Sequence, residues 1–468
     1  MMEFLEMIER VFSTFGGPIF VPVILFIIAL AFGVKIKKAF FSALYAGIGL
    51  TGFNLIIGSY TPIMVDAVQD MVENSGVNLP VLDIGWQATS VVAYATRAGM
   101  IFLVLGLLFQ LLLYIIKWTD VFQPSDLWNN YSYMVWGSMI YLITENMGLA
   151  LLAMFVLNLY SLLFSEMLAE RWSRYYNYPN CTIVQLHHVG VVPFAIVMNW
   201  ILNKLGANKI QITPEGLQKK LGFMGQPIVL GLFLGAFIGV LGNLNSLGAL
   251  ASWGQIATIA ISTSAVMAIF PKVAGIFAQA FSPLTEATKK TVKKDSKEGK
   301  RDIYLGVNDA VGYGEEATLI SGILLIPIMF GLAIILPGNE VLPLVDLIAL
   351  PFMVEGFVAI MNGNIFKVVV SGSIWFSMGL YVATYTAPMF TRIAETVGVS
   401  IPAGALQITS FGIITKPIAG LIFLAFMKEF WIAIGAIIVL YFGSYFLFRK
   451  NKVKFRSFLE NQALGKEE

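Results

Sequence analysis

Long apolar runs alternate with short polar breaks along almost the whole chain. A membrane-spanning helix needs about 20 mostly apolar residues. Runs of that kind lie near 18–34, 41–62, 98–116, 130–144, 147–165, 226–243, 256–280, 317–337, 341–361, 366–386 and 411–447. The last is long enough for two helices, or for one tilted helix interrupted at Lys428-Glu429. Four other stretches, 79–93, 184–203, 303–315 and 398–416, are half-apolar and broken by Gly or Pro. They are too short or too polar to span. The pattern predicts re-entrant or discontinuous helices there, which persist only where protein covers their backbone or a cavity receives it.

Composition supports this pattern. Of 468 residues, 57% are hydrophobic and 12% are charged, against about 45–50% and about 25% in a soluble domain. Too little charge is left to coat a water-facing surface. A soluble enzyme, a nucleic-acid binder and a disordered chain are therefore excluded, and an all-α polytopic membrane protein of about 10–12 transmembrane helices is expected. The 43 glycines and 18 prolines suit close helix packing and helix breaks. The lone Cys181 makes neither an internal disulfide nor a cysteine metal cluster and reads as structural. The acidic opening, Glu3 and Glu6, does not read as a cleavable signal peptide.

Basic residues set the expected orientation, since Lys and Arg favour the cytoplasmic side. The 289–301 stretch (Lys289, Lys290, Lys293, Lys294, Lys297, Lys300, Arg301) and the tail (Arg449, Lys450, Lys452, Lys454, Arg456) are assigned there. Glu3, Glu6 and Glu9 before the first span, and Lys35, Lys37 and Lys38 after it, put the N-terminus outside. The polar stretch 203–224, with Pro214-Glu215-Gly216, reads as an amphipathic connector between a first half, 1–202, and a second, 225–468.

The chain also resembles itself. Residues 73–90, ENSGVNLPVLDIGWQATS, match 395–410, ETVGVSIPAGALQITS, and IIALAF (27–32) matches LIALPF (347–352) in the same order. Repeats are thereby expected at about 17–90 and 338–410. Chance similarity in an apolar chain is the competing explanation. Three lysines follow the first span of copy one and only Lys367 stands in copy two, which favours inverted over parallel repeats. Paired broken segments of this kind mark the substrate site of many secondary transporters.

Ionisable groups inside apolar segments cost several kcal/mol and are candidate functional groups. Arg97 and Glu145 would form a neutralising pair, unless each snorkels to an interface. His187 and His188 are the only histidines. Adjacent residues point to different faces of a helix, so one of them is expected to face a site; the alternative is a polar loop pair, and their spacing argues against a metal. Asn308 and Asp309 lie in YLGVNDAVGYGEEATLISG and suit a polyhydroxyl ligand, whereas Glu315 and Glu316 better fit an acidic, capped helix start. Gln87 and Gln407 occupy matching repeat positions, each followed by x-Thr-Ser. Their amides suit sugar hydroxyls, and the Thr/Ser pairs would cap helices. Asp346 and Glu355 need partners or a polar cavity. No Walker A motif, Arg-rich voltage-sensor helix, K⁺-filter motif, catalytic triad or zinc motif is found, and no cofactor is expected.

The stretches VLDIGWQATS (81–90), IQITPEGLQKKLGFMGQPIVLGLFLG (210–235), YLGVNDAVG (304–312), LPGNEVLPLVDLIALPF (336–352) and GNIFKVVVSG (363–372) together resemble the enzyme IIC membrane component of the galactitol-type bacterial phosphotransferase system, in the ascorbate–galactitol superfamily. The resemblance implies an elevator-type, homodimeric permease of the inner membrane, one permease domain throughout. It would pass a galactitol-like polyol or related carbohydrate across the bilayer to a separate phospho-cysteine IIB subunit, itself charged by IIA, with no role for nucleic acid. It draws attention to Trp86 beside Gln87, to Asn308-Asp309, and to His187 or His188 as the counterpart of a family histidine. Tyr141 stands where the family has a histidine. Arg97, Glu145, Glu315 and Glu355 are added charges, which point away from galactitol itself; Arg97 would suit an acidic or differently substituted sugar. An ion-coupled transporter using Asp309, Asp346 or Glu355, and a non-transporting sugar sensor, are the competing readings.

Overall fold

The computed structural model describes residues 17–31, 33–76, 79–210, 212–280, 283, 302–399, 401 and 405–465. The basic 289–301 stretch and the acidic N-terminal residues therefore lie outside the described residues.

The first half runs α1 (Gly17–Ala31), α2 (Ile36–Ser75), β1 (Val81–Asp83), α3 (Trp86–Ala95), α4 (Arg97–Ile115), β2 (Val121–Phe122), a 3₁₀ turn, α5 (Tyr131–Thr144), α6 (Met147–Tyr175), β3 (Cys181–Ile183), α7 (Leu186–Val189) and α8 (Val192–Lys204). A short helix α9 (Pro214–Leu221) occupies the connector. Thr213 caps it by accepting from the Gly216 amide at 3.1 Å, and the Asn364 side chain donates to the Ile210 carbonyl at 2.8 Å. The second half then runs α10 (Pro227–Gly242), α11 (Leu250–Ala278), β4 (Tyr304–Val307), α12 (Ala310–Tyr313), α13 (Glu316–Ile335), β5 (Val341–Leu342), a 3₁₀ turn, α14 (Leu350–Ile360), α15 (Ile365–Thr396), β6 (Gln407–Thr409), α16 (Phe411–Ile414), α17 (Pro417–Met427) and α18 (Trp431–Ala463). The order of element types from α1 to α8 thus recurs from α10 to α17.

Among the described residues, seven helical stretches are long and apolar enough to cross a membrane: Arg97–Ile115, Met147–Tyr175, Leu186–Lys204, Leu250–Ile269, Glu316–Ile335, Ile365–Thr396 and Trp431–Ala463. The 184–203 stretch, expected to be too short or too polar to span, contains the Leu186–Lys204 stretch, which is long and apolar enough. Two expected spans are also corrected. The 341–361 run is β5, a 3₁₀ turn at Val345–Ala349 and the 11-residue α14, rather than one helix. Pro343 and Pro351 cannot donate to a continuous helical ladder. The 130–144 run is the 14-residue α5, about 21 Å long at about 1.5 Å per residue, against a hydrocarbon core of about 30 Å. The interruption expected at Lys428-Glu429 is present between α17 and α18, where Glu429 adopts φ 49°.

The all-α expectation also misses six short strands. They form two three-stranded parallel sheets, β5–β1–β6 and β2–β4–β3. In the first, Val81 pairs with Val341 and with Gln407, and Asp83 with Thr409. In the second, Leu305 pairs with Phe122 and Cys181, and Val307 with Ile183. Each central strand comes from one half and both its neighbours from the other. The reason is backbone accounting. A helix broken inside an apolar molecule frees amide and carbonyl groups that water cannot reach, and strand pairing satisfies them. Gly306 in β4 permits the close crossing, since a side chain there would strike Val184 and the Phe122 carbonyl.

Beside the second sheet, the tail end of α18 is fastened by ions. Lys452 Nζ lies 2.5 Å from Asp120 Oδ2 and 2.7 Å from Glu166 Oε1, and Arg449 Nη1 lies 2.9 Å and 3.2 Å from the same two oxygens. The Trp118 and Tyr445 rings stack 4.1 Å apart alongside them.

Candidate functional site

Every broken segment follows one local pattern: a strand, a tight turn and a short helix. The turns carry the polar residues, so pairing the strands gathers those residues at the strand ends.

At the end of the first sheet, two buried carboxylates tie three turns together. Asp83, the last residue of β1, accepts from the Gly85 and Phe411 amides at 3.1 Å and 3.0 Å. Its second oxygen accepts from the Leu344 and Asp346 amides at 3.0 Å and 2.7 Å. Asp346 accepts from the Trp86 amide at 2.9 Å, and from the Ser410 hydroxyl and Gly412 amide at 2.7 Å each. The free amides of three helix starts are thereby satisfied by carboxyl oxygens. The partners that Asp346 needs are therefore backbone and hydroxyl donors.

At the end of the second sheet, Gln185 donates to the Val307 carbonyl at 2.7 Å and holds the β3 and β4 turns together. Beyond it, His188 Nε2 lies 2.9 Å from Asp309 Oδ2, and His187 Nε2 3.8 Å from the same oxygen. Both histidines thus face Asp309, which corrects the expectation that only one faces the site. Helix α7 is a single turn, too short and too tightly turned to splay its neighbours apart, and the two imidazole rings sit 4.1 Å apart. The Asn308 side chain accepts from the Ala310 amide at 3.0 Å and so caps α12.

Aromatic rings and one cation join the two ends. Trp86 lies 6.2 Å from the Tyr131 ring, and Tyr131 lies 5.7 Å from His187. Lys416, in the turn between α16 and α17, is 3% exposed and within electrostatic reach of His187, His188 and Asp346. Its ammonium has no hydrogen-bond partner. Nor do the Nδ1 atoms of His187 and His188, or the Thr409 hydroxyl at the end of β6. Buried polar atoms are almost always paired, so this set is a concentration of unused hydrogen-bonding capacity.

His187, His188 and Asp309 bring one ligand atom each within 4.8 Å of one another, close enough to share a cation. A metal-bound imidazole ordinarily donates its other N–H to a second group, and here both Nδ1 atoms lack one. The arrangement fits solute hydroxyls better than a resident metal.

The remaining candidates fall around or outside this centre. Gln407 is half-buried in β6, and its backbone N–H donates to the Pro80 carbonyl at 3.0 Å. Gln87 lies in the first turn of α3, with its side chain outside the described ones. Tyr141 is half-buried in the last turn of α5. Arg97 and Glu145 are both exposed, and no ion pair joins them among the described residues; Glu145 is the left-handed end of α5, at φ 53°. Glu315 caps α13 through the Ala317 and Thr318 amides at 3.1 Å and 2.8 Å and accepts from Tyr175 at 2.9 Å, the capped helix start weighed above. Glu355 is fully buried; one oxygen accepts from Trp172 at 3.3 Å and the other is unpaired.

Asp83, Tyr131 and Lys416 were not singled out from the sequence. Lys416 carried a readable signal, a charge inside the 411–447 apolar run well before the Lys428-Glu429 break.

Interrupted helices meeting near the middle of a polytopic helical protein, with unpaired polar groups at their tips, define a solute permease of the membrane. Residues 11–404 match the family EIIC-GAT, the sugar-specific permease component of the PTS system, and the chain belongs to that family. It is 29% identical over 399 residues to a protein of Escherichia coli (strain K12) carrying the name permease IIC component, covering 85% of this chain and 89% of that protein. It is 26% identical over 402 residues to the galactitol-specific EIIC component of the PTS system of the same strain, covering 85% and 86%. Permeases of this family work with IIA and IIB subunits and reside in the inner membrane.

Proposed function

We propose that the chain translocates a galactitol-like polyol or related carbohydrate and presents it for phosphorylation by a separate phospho-cysteine IIB subunit. The observation that carries this reading is the group of buried, unpaired polar atoms at His187, His188, Thr409 and Lys416. A polyol offers hydroxyls that both donate and accept, and so fills such positions. In group transfer the attacking hydroxyl forms the new O–P bond, the S–P bond to the IIB cysteine breaks, and the hydroxyl proton must leave. His188 paired to Asp309 is placed to take it, with the carboxylate orienting the imidazole and balancing its charge.

The wider architecture follows from the same reading. Residues 17–204 and 227–427 form two inverted repeats, with β1 equivalent to β4, β2 to β5 and β3 to β6. This register differs from the 17–90 and 338–410 sequence match, whose strands β1 and β6 are neighbours in one sheet. Residues 203–224 connect the halves. The carrier works as an elevator within a homodimer, its N-terminus outside and its C-terminus in the cytoplasm.

The test is uptake into sealed vesicles. Accumulation of phosphorylated solute only when phospho-IIB is present supports the proposal. Accumulation of free solute driven by an ion gradient would replace it with an ion-coupled transporter.

A further inference from the structure

A buried ammonium without a hydrogen bond is costly, because it loses water and gains nothing in its place. Lys416 bears that cost whenever its amine is protonated: it is 3% exposed, and among the described residues Nζ has no partner. Its contacts do not discharge the cost. The Phe376 ring, 5.7 Å away, offers a weak cation–π attraction. Asp346 offsets the charge at a distance, but its oxygens already accept from Trp86, Ser410 and Gly412. Asp83 next to it accepts four backbone amides. On the other side, Asp309 is engaged by His188. The carboxyl group within electrostatic reach of Lys416, Asp346, is therefore already engaged.

The position is also rigid. Lys416 precedes Pro417, which opens α17, and a side chain at Gly379 would collide with the Thr415 carbonyl, so α15 presses directly on this turn.

We propose that Lys416 receives the carboxylate of the transported solute, so that the permease selects a sugar acid over the matching neutral polyol. A neutral polyol needs only hydroxyls and amides around it, whereas a buried ammonium is repaid in full only by an opposite charge with good hydrogen-bond geometry. The inference rests on the sugar-permease reading and narrows its substrate class.

The experiment is a binding titration on the purified full-length protein in nanodiscs. It uses hexitols and the hexonates of the same galacto, gluco and manno configurations, together with the hexitol phosphates. In the wild type, at least one hexonate should bind about tenfold or more tightly than its hexitol, the size expected of a charge-assisted hydrogen bond. Lys416→Met should lose that preference, its hexonate affinity falling at least tenfold further than its hexitol affinity, and Lys416→Arg should keep part of it. Elution volume and unfolding midpoint without ligand report whether each variant folds; the wild-type comparison decides the matter if neither does. A wild type that prefers hexitols, or only the hexitol phosphates, overturns the proposal, as does a folded Lys416→Met that retains the preference. Binding of no ligand in the panel by the wild type would instead sink the galactitol-like reading of the solute.

Discussion

His188 Nε2 and Asp309 Oδ2 lie 2.9 Å apart, although one residue belongs to each half of the chain. The contact exists because β3 and β4 are sheet neighbours, with Ile183 opposite Val307. Their two following turns then open toward each other. If this pair takes the substrate proton, Asp309→Asn and His188→Gln should lower formation of phosphorylated solute by about 100-fold or more, the usual size of lost general-base assistance. Solute affinity should fall much less. Rates assayed with phospho-IIB at saturating solute, beside titrated affinities, separate the two effects.

Full removal of the carboxylate reaches further. Asp309→Ala leaves both histidines without their shared acceptor, and solute binding should be abolished while the unfolding midpoint stays near that of the wild type. Wild-type affinity in this variant removes Asp309 from the site.

Gln87→Ala tests the other sheet. Residue 87 opens α3, directly after the Trp86 amide held by Asp346. Loss of binding with an intact fold is expected, and unchanged affinity excludes the Gln87 amide as a ligand.

Asp83 and Asp346 should behave as structural residues. Each variant Asp83→Ala and Asp346→Ala strands several buried donors, at about 1–3 kcal/mol for each group left unpaired. A clear fall in the unfolding midpoint is expected for both. The double variant should lose less than the sum, because the two carboxylates tie together the same three turns. Additive losses would show that the carboxylates act independently.

Arg97→Ala and Glu145→Ala should leave affinity and stability nearly unchanged, within about twofold and about 0.5 kcal/mol, as for most exposed positions. A large loss of binding in either would place the substrate elsewhere, toward the exposed ends of α4 and α5.

Much of the architecture is legible along the chain because membrane helices declare themselves locally. A long apolar run reads as a span from its own residues, although the 341–361 run shows that length alone does not decide it. The positions of α4, α6, α13 and α15, and the four broken segments, follow from that. His187, His188 and Asp309 could be singled out because a charged or titratable residue inside an apolar stretch is anomalous by itself. Strands of two to four residues leave no periodic trace, so the pairing that links β1 to β5 and β6, and β4 to β2 and β3, was not readable. Nor was the direction of the two histidines, which depends on α7 being a single turn.

The sequence by itself determined a polytopic helical membrane protein with interrupted helices, and named the residues whose burial would be expensive. Only the tertiary structure decided which of those residues are repaid. Arg97 and Glu145 lie on the molecular surface, Asp346 is repaid by amides and a hydroxyl from other turns, and Lys416 is left without a hydrogen bond among the described residues. Whether a polar atom has a partner depends on groups brought close from far along the chain, and no local pattern records it.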